Sequence, residues 1–239
     1  PRKGSVTTPH ITRVQPIRPR GLKVRIHLDG GEPFEITLEA LERSRLGVGD
    51  DLPPDRQHQL INDDQDIRVR DAAFNLISYS ARTRAELKRR LRQKGFRPAR
   101  IDVCLDRLEE MGFVDDKAVA AAFVRDRLLH RPRGKAALSS ELRSKGVAGD
   151  LATDTIDQVF KTQETSDIDL AREMATKWVA RQNAGALEAL ASDSGSPAKA
   201  KARRRLMGYL SRRGFRGEAM GEGMTVAAQI ARGRGAQTS

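Results

Sequence analysis

The chain has 239 residues, with 44 Lys or Arg against 32 Asp or Glu, a formal net charge of +12 and a sequence pI near 10.4. An apolar fraction of 38% and a mean hydropathy of −0.57 argue against a thick core, and no apolar run approaches the ~20 residues a membrane span needs. The single cysteine, Cys104, excludes an intrachain disulfide scaffold and fits a reducing compartment, while the positive balance points to a polyanionic partner.

Residues 1–9 have no periodicity and are expected to form a flexible basic tail; the polar, basic start predicts no secretory leader. Leu22, Val24, Ile26 and Leu28 alternate with Lys23, Arg25 and His27, the period of a half-buried strand. Asp29-Gly30-Gly31 signals a hairpin turn, and Phe34, Ile36 and Leu38 resume the alternation. Ile11 to Val14 can supply a third strand. Leu38 to Arg45 reads as one or two helical turns, and Pro53-Pro54 opens a helix through Ile61. Residues 10–66 therefore form a small β-rich subdomain with a helical exit. Its charge is split: Pro1 to Leu28 holds seven basic and no acidic residues, whereas Gly30 to Asp66 holds three basic and ten acidic. Asp63, Asp64 and Asp66 read as a solvated acidic linker.

Everything from Asp71 onward is predicted helical, and one phrase occurs three times. Leu87-x-x-x-Leu91-x-x-Lys94-Gly95, Leu138-x-x-x-Leu142-x-x-Lys145-Gly146 and Leu206-x-x-x-Leu210-x-x-Arg213-Gly214 recur at intervals of 51 and 68 residues. Leucines at i and i+4 share one helix face. The basic residue faces the negative end of the helix dipole. The glycine suits a left-handed exit, after which Phe96, Val147 or Phe215 can fold back on the last turn. Recurrence at fixed spacing predicts a repeat architecture. The units are a three-helix repeat over 71–114, a second over 115–162 and a third over 167–230. Thr83 with Glu86 forms a capping box, Asp115 or Asp116 caps the next unit, and Pro98 suits a first helical turn. Residues 183–201, including Ser192-Asp193-Ser194-Gly195-Ser196-Pro197, read as a flexible insertion. Gly221 and Gly223 predict a weak final helix, each costing roughly 1 kcal/mol against Ala, and 231–239 reads as a disordered tail. The fold class is mainly α: tandem three-helix repeats in an elongated curved array, preceded by a small β-hairpin-containing N-terminal subdomain.

No catalytic constellation can be assembled. His10, His27, His58 and His130 are scattered without ligand spacing, so no metal site is expected, and Cys104 lies on an apolar helix face, where a core role fits better than nucleophilic chemistry. Gly30-Gly31 and Gly47/Gly49 lack the context of a phosphate loop. The basic residues are the stronger signal. From Arg82 to Arg100 there are nine basic residues and one acidic, Glu86. The contact candidates here are Arg82, Arg84, Lys88, Arg89, Arg92 and Lys94, with Arg84, Lys88 and Arg92 forming a stripe at i, i+4 and i+8. Arg125, Arg127, Arg131, Arg133 and Lys135 flank the helix break of the second unit, and Arg203, Arg204, Arg205, Arg212 and Arg213 repeat the theme in the third. Each alone is an ordinary solvated charge; stacked repeats would align them on one surface. Aromatics are 4% of the chain and fall mostly at core positions, which disfavours base-stacking readout.

Several segments resemble the RecX regulators of the bacterial recombinase RecA: Ala81-Arg82-Thr83-Arg84-Ala85-Glu86-Leu87, Leu91 through Lys94-Gly95-Phe96, Gly112-Phe113-Val114-Asp115-Asp116, Phe123-Val124-Arg125-Asp126-Arg127 running into Arg133-Gly134-Lys135, and Glu141-Leu142 through Lys145-Gly146-Val147. The resemblance covers Asp71 to Phe160 well and extends in register to about Ile230. It implies a cytoplasmic, cofactor-free, non-enzymatic protein that lies on the RecA–DNA filament and damps ATPase, strand-exchange and coprotease activities. RecA, and single- and double-stranded DNA without sequence preference, are the partners implied, with a monomer and no membrane contact expected. The competing reading is a sequence-independent DNA-binding protein acting without RecA.

Overall fold

The computed structural model describes residues 8–19, 21–192 and 195–236. Of the flexible tail expected at 1–9, residues 1–7 lie outside them, as do the last three residues. Three strands, β1 (Ile11–Pro16), β2 (Lys23–Leu28) and β3 (Phe34–Thr37), form an antiparallel sheet in the order β1-β2-β3. Val24 stands opposite Ile36, and Ile26 is paired with Val14 on one side and Phe34 on the other. Ile11, Val24, Ile26 and Ile36 are all buried, so the alternation sets one face inward, but Leu22 precedes the strand and is exposed, and Leu38 begins the first helix.

The helices are α1 (Leu38–Ser44), α2 (Pro54–Tyr79), α3 (Arg84–Gln93), α4 (Pro98–Glu110), α5 (Asp116–His130), α6 (Lys135–Ser144), α7 (Gly149–Thr162), α8 (Asp167–Val179), α9 (Ala184–Ala191), α10 (Pro197–Ser211) and α11 (Gly217–Ala236). The chain divides into two compact units. One holds residues up to 82 together with 87–114; the other holds 83–86 and everything from 115.

In the first unit, α2 runs unbroken through the segment that reads as an acidic linker, so no boundary falls between 66 and 71. The carboxylates there are structural. Asp64 is buried, and its Oδ1 accepts the Thr37 backbone N–H at 2.6 Å. Thr37 in turn caps α1 by accepting the Ala40 N–H. Asp66 pairs with Arg100 of α4 at 2.5 Å. The sheet side of the unit has its own apolar cluster, running from Ile11 to Ile67. Val69, Ala73, Leu87, Leu91, Ile101, Leu105, Leu108 and Val114 pack the helices that follow.

In the second unit one contiguous core joins α5 to α11, from Ala120 to Ala231. Two sequence expectations change here. Residues 183–201 are largely helical: Asn183 caps α9 by accepting the Ala186 N–H at 2.9 Å, Leu190 is buried, and Ser196 caps α10 with Pro197 in its first turn. The unit after Asp167 therefore has four helices, α8 to α11. The glycine-bearing last helix is long and continues past 231, into the expected tail. Gly223 lets α11 approach α8 closely, since a Cβ there would lie 3.1 Å from the Ala171 carbonyl oxygen.

All six repeat leucines, Leu87, Leu91, Leu138, Leu142, Leu206 and Leu210, are fully buried. Gly95, Gly146 and Gly214 have φ of 88°, 85° and 86°. The Phe96, Val147 and Phe215 amides each donate to the leucine carbonyl five residues back, completing a Schellman closure three times. The repeats are also joined by a repeating set of bonds. The Arg84 amide donates to Asp116 Oδ1 at 2.7 Å, and the Lys135 amide donates to Asp167 Oδ1 at 2.9 Å. Thr83 Oγ1 donates to the Lys145 carbonyl at 2.6 Å, and the Gly134 amide donates to the Arg213 carbonyl at 2.8 Å. The first pair is offset by 51 residues at donor and acceptor; in the second the donors are 51 residues apart and the acceptors 68, the two intervals of the repeat. A Cβ on Gly146 would sit 2.2 Å from that of Ala85, and one on Gly214 would sit 2.4 Å from the Ala137 nitrogen. Gly95 faces open space. Glycine thus serves twice in the second and third copies, as a left-handed exit and as a seat for the preceding repeat.

Candidate nucleic-acid interface

The sixteen predicted contact residues divide into those held by the fold and those left open. Arg82 Nε donates to the Leu76 carbonyl at 3.1 Å and closes the end of α2. Lys88 pairs with Asp102 of α4 at 2.5 Å, so the stripe of Arg84, Lys88 and Arg92 is broken in the middle. Arg84 is half-buried. Arg89, Arg92 and Lys94 are exposed, and none has a carboxylate partner among the described residues. They form the open basic face of the first unit.

In the second unit Arg127 bonds Glu141 Oε2 through Nε at 3.0 Å and lies 4.3 Å from the centre of the Phe123 ring. Lys145 covers the same ring at 5.5 Å and pairs with Glu86 at 3.0 Å. Lys135 pairs with Asp157 at 2.6 Å and lies over Phe160. Arg133 is 3.6 Å from Glu141 and donates to the Arg212 carbonyl at 3.3 Å. These are joints of the fold. Arg125, Arg131, Arg203, Arg204, Arg205 and Arg212 are exposed and carry no ion pair among the described residues. Arg213 is half-buried, its guanidinium 3.7 Å from the Tyr209 ring centre. Burial pushes its pKa below the usual guanidinium value, and Arg133, Arg212 and Arg181 add like-charge repulsion.

Among the described residues no group of three or more His, Cys, Asp or Glu could hold a metal ion. Burial pushes the Cys104 thiol pKa up, the state of an unreactive core cysteine. No described helix is long and apolar enough to cross a membrane.

The helical units match known proteins. The RecX first three-helix domain matches residues 70–108, which hold the end of α2 with α3 and most of α4, and the second matches 115–156. A regulatory protein RecX from Mycobacterium sp. (strain JLS) is 34% identical over 172 residues, covering 72% of this chain and 83% of that protein. The RecX of Amycolatopsis mediterranei (strain U-32) is 30% identical over 165 residues, covering 69% and 81%. The chain belongs to the RecX family. Two RecX crystal structures share its fold. One, of a regulatory protein RecX, has a TM-score of 0.65 at 22% identity and covers 88% of this chain and 96% of that one. The other, RecX from Lactobacillus salivarius, has a TM-score of 0.56 at 20% identity, covering 70% and 99%.

Within this RecX chain, sequence reasoning missed Lys177, Arg181 and Tyr209, which line a cavity with Arg131, Arg133 and Arg213. Arg181 carried a usable signal. It lies just past the first helix of its repeat, as Arg131 does in the repeat before.

Proposed function

We propose that this protein regulates RecA by binding the RecA–DNA filament through the open basic residues of its helical repeats, damping ATPase, strand-exchange and coprotease activities without chemistry of its own. It acts in the cytoplasm as a monomer, without cofactor or membrane. The observation that carries this reading is the set of exposed arginines and lysines without carboxylate partners, present in every repeat of a RecX fold. A fold that needed these charges for stability would pair them, as it pairs Lys88, Arg127 and Lys135. A RecA–DNA filament is a long anionic target, so binding should weaken steeply with salt through release of condensed counterions. The test is the single-stranded-DNA-dependent ATPase of RecA from the same source, titrated with this protein at two salt concentrations. Inhibition well below one copy per RecA, weaker at the higher salt, supports the reading. Tight binding to bare DNA with no effect on RecA would overturn it in favour of a general DNA-binding protein.

A further inference from the structure

Two cavities in the second unit meet at Tyr209. One, of about 360 Å³, is bounded by the ends of α5, α8 and α10; the other, of about 320 Å³, lies between α8 and α10. Neither is lined by a carboxylate. Arg131, Arg181 and Arg213 line the first, and Arg204, Arg205 and Arg212 the second. None of these six has an ion-pair partner among the described residues. Helix ends account for only part of this charge. The C-termini of three helices supply about −0.5 charge each, roughly −1.5 against six cations. The excess is gathered on these concave walls, and at Arg213 burial first, then the like charges of Arg133, Arg212 and Arg181, hold the pKa below the usual guanidinium value.

We infer that the two cavities form one anion track that binds consecutive phosphates of a single nucleic-acid strand, with the Tyr209 ring set between the two cationic lobes. This rests on the polyanion reading above and names where in the chain a strand is held. The chemistry favours a nucleotide chain over an acidic peptide. Guanidinium forks match phosphate oxygens in pairs, and an aromatic ring between two phosphate-binding lobes serves a base, which a run of carboxylates lacks. Arg133 and Lys177 also face the first cavity, but each has a glutamate nearby, Glu141 and Glu173. They are supporting charges rather than primary contacts.

The test uses the full chain and a fluorescein-labelled oligothymidylate, with binding read by anisotropy at two salt concentrations. Arg181→Gln with Arg205→Gln removes one open cation from each lobe. Arg13→Gln with Arg56→Gln removes the same charge from two exposed residues of the N-terminal module that are not contact candidates. The track variant should lose about tenfold or more in affinity, and its salt slope should fall by about 1.4, for two single-strand phosphate contacts. The N-terminal variant should lose less than about threefold. Tyr209→Leu also removes the ring under the Arg213 guanidinium, so it should weaken both ligands, the oligonucleotide by several-fold more than inorganic tripolyphosphate. Equal losses in the two arginine variants would overturn the track and leave diffuse polyanion binding intact. A polyglutamate peptide that displaces the oligonucleotide charge for charge would overturn the nucleic-acid assignment. So would tripolyphosphate that binds as tightly as the oligonucleotide, with Tyr209→Leu affecting neither. No oligonucleotide binding by the wild-type chain at low salt would overturn the polyanion reading itself, and the track with it.

Discussion

Gly146→Ala separates the two roles assigned to the repeat glycine. Gly146 has a φ of 85°, and an added Cβ would stand 2.2 Å from the Ala85 Cβ. The left-handed conformation alone costs a non-glycine residue about 1–2 kcal/mol. Overpacking at a tight contact adds about 1–3 kcal/mol. The variant should therefore lose about 2–5 kcal/mol in the second unit, whose buried Trp178 gives the fluorescence signal during urea unfolding. Ala85→Gly removes the colliding methyl at a cost of about 0.5–1 kcal/mol in a helical turn. Combined with Gly146→Ala, it should recover the steric share and leave the conformational share. The coupling energy from the cycle should be about 1–3 kcal/mol. Gly95→Ala, at a φ of 88° with open space around it, should show only the conformational cost by circular dichroism of the first unit. A coupling energy near zero, with Gly95→Ala as costly as Gly146→Ala, would refute the claim that glycine seats one repeat against the next.

Two more predictions concern the N-terminal module. Asp64→Ala leaves the buried Thr37 amide without an acceptor and should cost about 1–3 kcal/mol, read as a lower urea midpoint in circular dichroism; an unchanged midpoint would show that water replaces the carboxylate. Glu39 is held below the ordinary carboxylate pKa of 4.5, first by its hydrogen bonds to Arg70, at 2.6 and 2.9 Å, and then by the Arg70 and Arg43 charges. A depressed folded-state pKa means stability that is present above the unfolded value and lost as pH falls through the folded one. The stability gap between wild type and Glu39→Gln should be open at neutral pH, shrink as pH falls below the ordinary carboxylate value of 4.5 and vanish below the depressed folded-state value; a gap that persists in strong acid would assign the effect to shape rather than charge.

Much of the fold was legible because helix ends have local rules. The spacing Leu-x-x-x-Leu-x-x-basic-Gly encodes a buried face, a dipole partner and a left-handed exit within nine residues, and all three copies fold that way. The strand alternation at Val24 and Ile26 was equally direct. What failed depended on distance. Asp64 reads as solvated because nothing nearby in sequence reveals that the Thr37 amide, 27 residues earlier, needs an acceptor. The α9 segment reads as flexible from its serines and glycines, although Leu187 and Leu190 had a core waiting in α10 and α11. The same limit governs the basic residues. Composition identified a positive surface, but Lys88 is matched by Asp102 and Lys135 by Asp157, partners on other helices that sequence spacing does not pair.

The central claim is that the unpaired cations, rather than the basic composition as a whole, act on RecA. The most direct test compares inhibition of RecA's DNA-dependent ATPase by the wild-type chain and by a variant carrying Arg89→Glu, Arg92→Glu and Arg125→Glu. These three side chains are exposed and hold no ion pair among the described residues. The account predicts a rise of about tenfold or more in the concentration needed for half inhibition, with helical circular dichroism and Trp178 fluorescence unchanged. An unchanged inhibition curve from the folded variant would contradict it.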